Sequence, residues 1–227
     1  MNTHILSDIA YTPDIESLKR RLRVRESTLS RFMCLFHEAR QVARPKAMYR
    51  PVYIEDRTEE AIRIEGQWFH SRVLTVNVKK VHRIFIYAAS CGLELDEWSK
   101  GQKEGLEIFW AGFLKESALL CGIKALEAHL EENYHPGKTS HQNPGSLEDF
   151  PLTEQKVLFE LLGDTFSAVG VTLLPSLMMS PSQSVSGIIF PTAVDFESCM
   201  LCPRENCPGR RASYDENLYK QKYSQLA

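Results

Sequence analysis

The sequence contains no apolar run long enough to cross a bilayer. The longest, around residues 84–89 and 185–190, fall far short of the ~20 residues a spanning helix needs. It also lacks an excess of either charge. A formal net charge of −2 over 227 residues removes the electrostatic basis for a nucleic-acid or anionic-membrane partner. The first residues show neither the basic start nor the apolar core of a signal peptide. The expected location is therefore the cytoplasm, with the six cysteines held as thiols. No internal repeat, low-complexity segment, phosphate-binding glycine loop, convincing Ser-His-Asp set or pair of helical carboxylates is found. The seven histidines are scattered without a metal-spaced pair, although His135 and His141 share one polar loop.

What is present is the composition of an ordinary globule, 43% hydrophobic and 25% charged, enough to bury one substantial core. The expected organisation is one domain over residues 1–195, followed by a cysteine-containing extension over 196–227. Thr12 and Pro13 read as a helix start, with Ile15, Leu18 and Leu22 following at helical spacing. Leu29, Phe32, Met33, Phe36 and Ala39 predict a second helix ended by Pro45. Between residues 47 and 78 the pattern shortens toward alternation and predicts two or three strands. Residues 81–89 read as a buried strand. From about 99 to 133 a three-to-four-residue repeat of Leu106, Phe109, Trp110, Phe113, Leu114, Ala118, Cys121, Ala125 and Ala128 predicts one long amphipathic helix. Trp110, Phe113 and Leu114 are expected to be buried, and Gly112 and Gly122 to mark close packing against another backbone. Residues 134–150 read as a polar loop, 153–162 as a short helix closed by Gly163, and 171–174, 177–179 and 185–190 as strands. Helices flanking a twisted, mostly antiparallel sheet give an α+β class.

Two places carry chemistry. In the first, small hydroxyl residues ending in Ser184, Val185, Ser186 and Gly187 run into the apolar strand Ile188-Ile-Phe190, a setting for close backbone approach to a flat or polar ligand. Upstream, the turn of Asn143, Pro144, Gly145 and Ser146 offers amides, carbonyls and side-chain donors. A plain connection and the outward face of an edge strand are the competing readings of these segments. In the second place, Cys199, Cys202 and Cys207 lie at spacings that let thiolates converge on one metal. Pro203, Pro208 and Gly209 keep that backbone non-helical, and Arg204, Arg210 and Arg211 offset thiolate charge. Three ligands do not complete a site, so a fourth must come from Cys34, Cys91, Cys121, a partner or a small molecule. An iron–sulfur cluster, zinc, redox-active thiols and incidental surface thiols all remain open.

From Asn143 through Phe190 the order of features resembles the activation (reactivation) domain family of cobalamin-dependent methionine synthase. The carriers of the resemblance are Pro144-Gly145, the helix Leu152-Thr-Glu-Gln-Lys-Val-Leu-Phe159, and the strand–turn–strand Ser176-Leu-Met-Met-Ser-Pro-Ser-Gln-Ser-Val-Ser-Gly187. The strand over 84–89 and the long helix extend the likeness to residues 40–195. The family places an arginine four residues before the loop glycine and a tyrosine after it. Here those positions hold His141 and Ser146, and Glu148-Asp149-Phe150-Pro151 replaces an alanine-cysteine-proline segment. The cysteine trio is an addition to the family's pattern.

The resemblance implies a stand-alone member that assists reductive reactivation and remethylation of cobalamin on a separate corrinoid-binding protein or cobalamin-dependent methyltransferase. S-adenosylmethionine is the implied methyl donor, held by His141, Asn143, Pro144, Gly145, Ser146, Ser184, Val185, Ser186 and Gly187. Methyl capture needs one low-potential electron from a donor protein, and a metal on Cys199, Cys202 and Cys207 would relay it. The alternatives are an iron–sulfur protein that only reduces or chaperones a corrinoid partner, and a structural zinc-loop adaptor without a small ligand.

Overall fold

The computed structural model describes residues 2–207 and 210–223. Pro208 and Gly209, expected to shape the cysteine loop, lie outside the described residues. In chain order the elements are β1 (His4–Leu6), α1 (Ile15–Arg21), α2 (Glu26–Val42), β2 (Lys46–Tyr53), β3 (Asp56–Arg57), β4 (Ala61–Ile64), β5 (Gln67–His70), α3 (Arg72–Asn77), β6 (Arg83–Ser90), α4 (Leu93–Lys100), α5 (Gly105–Tyr134), β7 (Thr139–Gln142), α6 (Gln155–Leu162), α7 (Thr165–Val169), β8 (Thr172–Leu173), β9 (Met179–Ser180) and β10 (Ser184–Pro191). Five strands form the main sheet in the order β1-β2-β6-β10-β7, and every neighbouring pair is antiparallel. The class is α+β.

Strands β6 and β10 are the centre of the sheet because both faces of each are covered. From Ile84 to Ser90 every residue of β6 is buried, which explains its unbroken apolar run. One face packs Ile86, Ala88, Ile188 and Phe190 with Leu158, Leu161 and Leu162 of α6 and Val73 and Leu74 of α3. The other packs Phe85, Tyr87 and Ile189 with Leu119, Leu126 and Leu130 of α5. A third cluster joins Phe32, Leu35 and Phe36 of α2 to Trp110, Leu114 and Ala118 of α5.

The long helix has the expected phase with one correction. Trp110 and Leu114 are buried, whereas Phe113 is only partly buried and lies under the Arg21 guanidinium, 4.7 Å from its ring centre. Phe113 sits at the stripe's edge, where a cation can cover what the core does not. The helix also begins later than the repeat suggests. A separate α4 ends at Gly101, whose amide bonds back to Trp98 O at 3.1 Å, and α5 starts at Gly105. At Gly122 an added Cβ would touch Lys46 O at 3.4 Å, so the expected close packing holds there. At Gly112 nothing lies within 4 Å, so it does not.

Other differences are local. The first helix is capped by Asp14, which accepts from Ser17 N at 2.9 Å, rather than by Thr12. Residues 47–78 form four strands and end in α3. The polar loop after residue 134 contains β7, which pairs with β10 at the sheet's edge through Ile188↔Gln142 and Ile189↔His141. Among the described residues beyond 195, several pack on the domain. Phe196 and Tyr223 belong to the same buried cluster as α3 and α6, and Tyr223 donates its hydroxyl to Asn77 at 2.9 Å. Among the described residues no helix is long and apolar enough to cross a membrane.

Candidate functional site

The antiparallel pairing of β7 with β10 delivers the turn after β7 to the flank of the small-residue strand. Asn143 is the fastening. Its amide nitrogen donates to Ser186 O and to the Tyr87 hydroxyl, each at 2.8 Å. Ser146 closes the turn, donating its amide and its hydroxyl to Asn143 O at 3.0 and 2.6 Å. Gly145 is at φ +80°, a left-handed conformation that favours glycine, and donates to Phe150 O at 2.7 Å. Pro144 is buried beneath the turn while Gly145 is exposed. The two segments singled out in the sequence therefore lie side by side.

Gly187 has a different immediate neighbour from the one expected. A Cβ there would overlap Asn143 Nδ2 and come within 2.7 Å of Gln142 O. The close approach it permits is that of the Asn143 amide, which occupies the notch. Val185 packs on the α5 face. Ser184 and Ser186 hold buried hydroxyl oxygens with no hydrogen-bond partner among the described residues, and strand alternation turns both toward the face that carries Ile188 and Phe190, away from Tyr87.

Around the turn stands a polar constellation that periodicity could not reveal. His141 projects from β7 toward α5, where its Nε2 meets Glu127 Oε1 at 3.0 Å, and its Nδ1 faces the Tyr87 hydroxyl at 3.4 Å. Burial pushes the Tyr87 phenol up to about 12, opposed by the Asn143 hydrogen bond and the charge of Arg211. It remains a neutral acceptor for Asn143. The His141 hydrogen bond holds the Glu127 carboxyl below its ordinary value of 4.5 against opposing burial, with Arg211 and Lys124 helping. A depressed folded-state pKa means that the ionised carboxylate stabilises the fold above the unfolded pKa and loses that contribution as pH falls through the folded one. Glu127→Gln is expected to lower stability at pH 7 by at most about 1 kcal/mol, given its partial exposure. The loss should shrink toward zero below about pH 4, as urea denaturation at stepped pH would read.

On the opposite face of β7, Asp149 has a structural duty. Its carboxylate accepts from Arg72 N and Val73 N at 3.1 and 3.0 Å and from the Ser71 hydroxyl, capping the start of α3. Gln142 donates to the same Ser71 hydroxyl at 3.0 Å. The change to Glu148-Asp149-Phe150-Pro151 thus anchors a helix.

The cysteine trio does not assemble as expected. Among the described residues no three His, Cys, Asp or Glu side chains are gathered so as to hold a metal ion, and all six cysteines are free. The centre of this loop is taken by a guanidinium. Arg210 donates to the carbonyls of Cys199 at 3.0 Å, Cys202 at 2.9 Å, Ala212 at 3.0 Å and Arg204 at 2.5 Å. Main-chain oxygens thus gather inward on a planar cation, while spacing alone left the thiol directions undetermined. Cys91, considered as a fourth ligand, is buried in the second helical cluster, and burial raises its thiol pKa to about 12, as for a packing residue. These residues do not fit an iron–sulfur or zinc centre in this arrangement.

No family model matches this sequence, and neither does any curated protein. Among solved structures, a chain described as the crystal structure of the MetH reactivation domain bound to AdoHcy matches with a TM-score of 0.63 at 15% identity. The match covers 87% of this chain and 81% of that one. This chain has the fold of that reactivation domain over most of both lengths.

Proposed function

We propose that this chain is a stand-alone reactivation-type protein. It holds S-adenosylmethionine beside the turn of Asn143, Pro144, Gly145 and Ser146 and presents the methyl group to a corrinoid on a separate methyltransferase. The observation that carries the reading is the juxtaposition of that turn with the strand of Ser184, Val185, Ser186 and Gly187, within a fold shared with a domain that binds AdoHcy. Bound adenosylmethionine supplies an activated methyl on sulfur. The chain's own part is positioning and exclusion of water, since the titratable groups nearest the turn, Tyr87, His141 and Glu127, are already paired with one another. The electron comes from a separate donor protein.

Titration calorimetry of the intact chain with S-adenosylhomocysteine is expected to show one-to-one binding. Gly145→Val should weaken it at least tenfold, because the turn needs a left-handed residue and the new side chain would press on Leu152, 3.0 Å from a Cβ. A specific observation favours a second reading. Asn143 and Ser146 are already hydrogen-bonded within the protein, and His141 is paired with Glu127. A chaperone that docks on a corrinoid protein without a methyl donor would need no more than this. Absence of binding at millimolar ligand would select that reading.

A further inference from the structure

The outer face of α5 leaves large apolar side chains open to solvent along its first half. Leu106, Ile108, Phe109 and Leu120 are 40%, 52%, 51% and 47% exposed, and the Phe109 ring meets that of the partly buried Phe113 at 5.0 Å. The same face is open at two glycines. A Cβ at Gly105 or at Gly112 would meet nothing within 4 Å, although glycine is among the poorest formers of a helix interior. Phe113 and Leu120 stand seven residues apart as knobs, and Gly105 and Gly112 stand seven apart as holes. Seven residues make about two turns, so the knobs share one stripe and the holes the stripe beside it.

We propose that this face of α5 pairs with the same face of a second copy of the chain, antiparallel, across a two-fold axis between Gly112 and Phe113. In a two-fold contact, whatever residue one copy sets against its partner the partner sets against it. Reversing the helix about that point seats Phe113 over the partner's Gly112 and Leu120 over the partner's Gly105, and each contact occurs twice. A single register satisfies both knob–hole pairs, a match that an unrelated surface has no reason to offer. Charge agrees with it. Arg21 is held by Glu116 at 3.1 Å, Arg31 by Glu107 at 2.9 Å and by Glu104, and Lys115 by Asp96 at 2.9 Å. With these charges paired inside each copy, two identical faces meet without repulsion, and a strongly acidic or basic partner gains little. The ridge offers on the order of 400 Å² of apolar surface per copy, less than the ~800 Å² of a standard interface. The dimer is therefore a weak one, dissociating in the micromolar range. Glu127, which pairs with His141, lies about 20 Å along the helix from the axis, so the contact leaves the Asn143 turn open.

Sedimentation equilibrium of the full chain between roughly 1 and 100 µM is expected to show monomer giving way to dimer. Phe109→Glu and Leu120→Glu, both at exposed positions, should raise the dissociation constant at least about tenfold. Gly112→Leu is the sharper variant. Its side chain has open space in the single chain and a better helix propensity, so the melting temperature of dilute protein should hold or rise. It fills the hole that Phe113 of the second copy needs, so the dimer should be lost. A wild-type chain that stays monomeric at about 100 µM overturns the proposal and assigns the face to a different protein. A dimer that survives both Gly112→Leu and Phe109→Glu overturns it as well, because its interface then lies elsewhere.

Discussion

Gly187→Val is expected to detach the edge of the main sheet. The new Cβ would lie 2.7 Å from the Gln142 carbonyl and overlap the Asn143 amide. A backbone oxygen in a paired strand cannot turn aside as a flexible side-chain tip can. Either β7 shifts away from β10 or Asn143 gives up its bonds to Ser186 O and Tyr87. Overpacking costs about 1–3 kcal/mol, and each lost hydrogen bond adds about 1 kcal/mol. A total of about 3–5 kcal/mol corresponds to a fall in melting temperature of roughly 10 °C for a chain of this size. Calorimetry or thermal circular dichroism would read it. Gly187→Ala should show much of the effect, since the clash begins at Cβ. An alanine variant as stable as wild type would show that Asn143 is not seated in the notch.

A second large effect is expected at Trp110. Its side chain is 2% exposed and meets the Phe32 ring edge-on at 5.3 Å, within the cluster that joins α2 to α5. Trp110→Ala removes this aromatic contact and leaves a cavity between two helices, at about 3–5 kcal/mol. Phe113→Ala, only three residues on, should cost about 1–2 kcal/mol, because that ring is only partly buried and its partners are Arg21 and Phe109 at the surface. Urea denaturation of the two variants measures the phase of α5 directly. Equal losses would contradict the burial difference.

The Asn143–Gly187 contact shows what sequence order can and cannot convey. The order of a proline-glycine turn, a short helix and a serine-glycine strand is visible in the chain, and the turn and the strand lie side by side in the fold. Which atom fills the notch at Gly187 is not visible, because the partner lies 44 positions upstream and meets it only through the register of β7 with β10. His141 is similar. Its residue type and loop are evident, but its pairing with Glu127 needs α5 to cross that face of the sheet. The short strand β7 reads as loop in the sequence because Thr139-Ser-His-Gln142 is polar throughout, and only burial of Ser140 and Gln142 at the edge shows the alternation.

By itself the sequence determined the elements whose patterning is local. The apolar runs of β6 and β10 follow from burial on both faces, the repeat of α5 from its two apolar contacts, and the end of α6 from Gly163 at φ +81°. Only the tertiary structure decided how the long-range polar contacts resolve. Cysteine spacing is compatible with a metal, yet the Arg210 guanidinium gathers the carbonyls of that loop, and no local pattern ranks one cation above another. Arg211 likewise reads as one of several arginines in a polar tail. Its pairing with Glu197 follows on Phe196 docking against Ser140, a contact that exists only once the sheet has an edge to receive it.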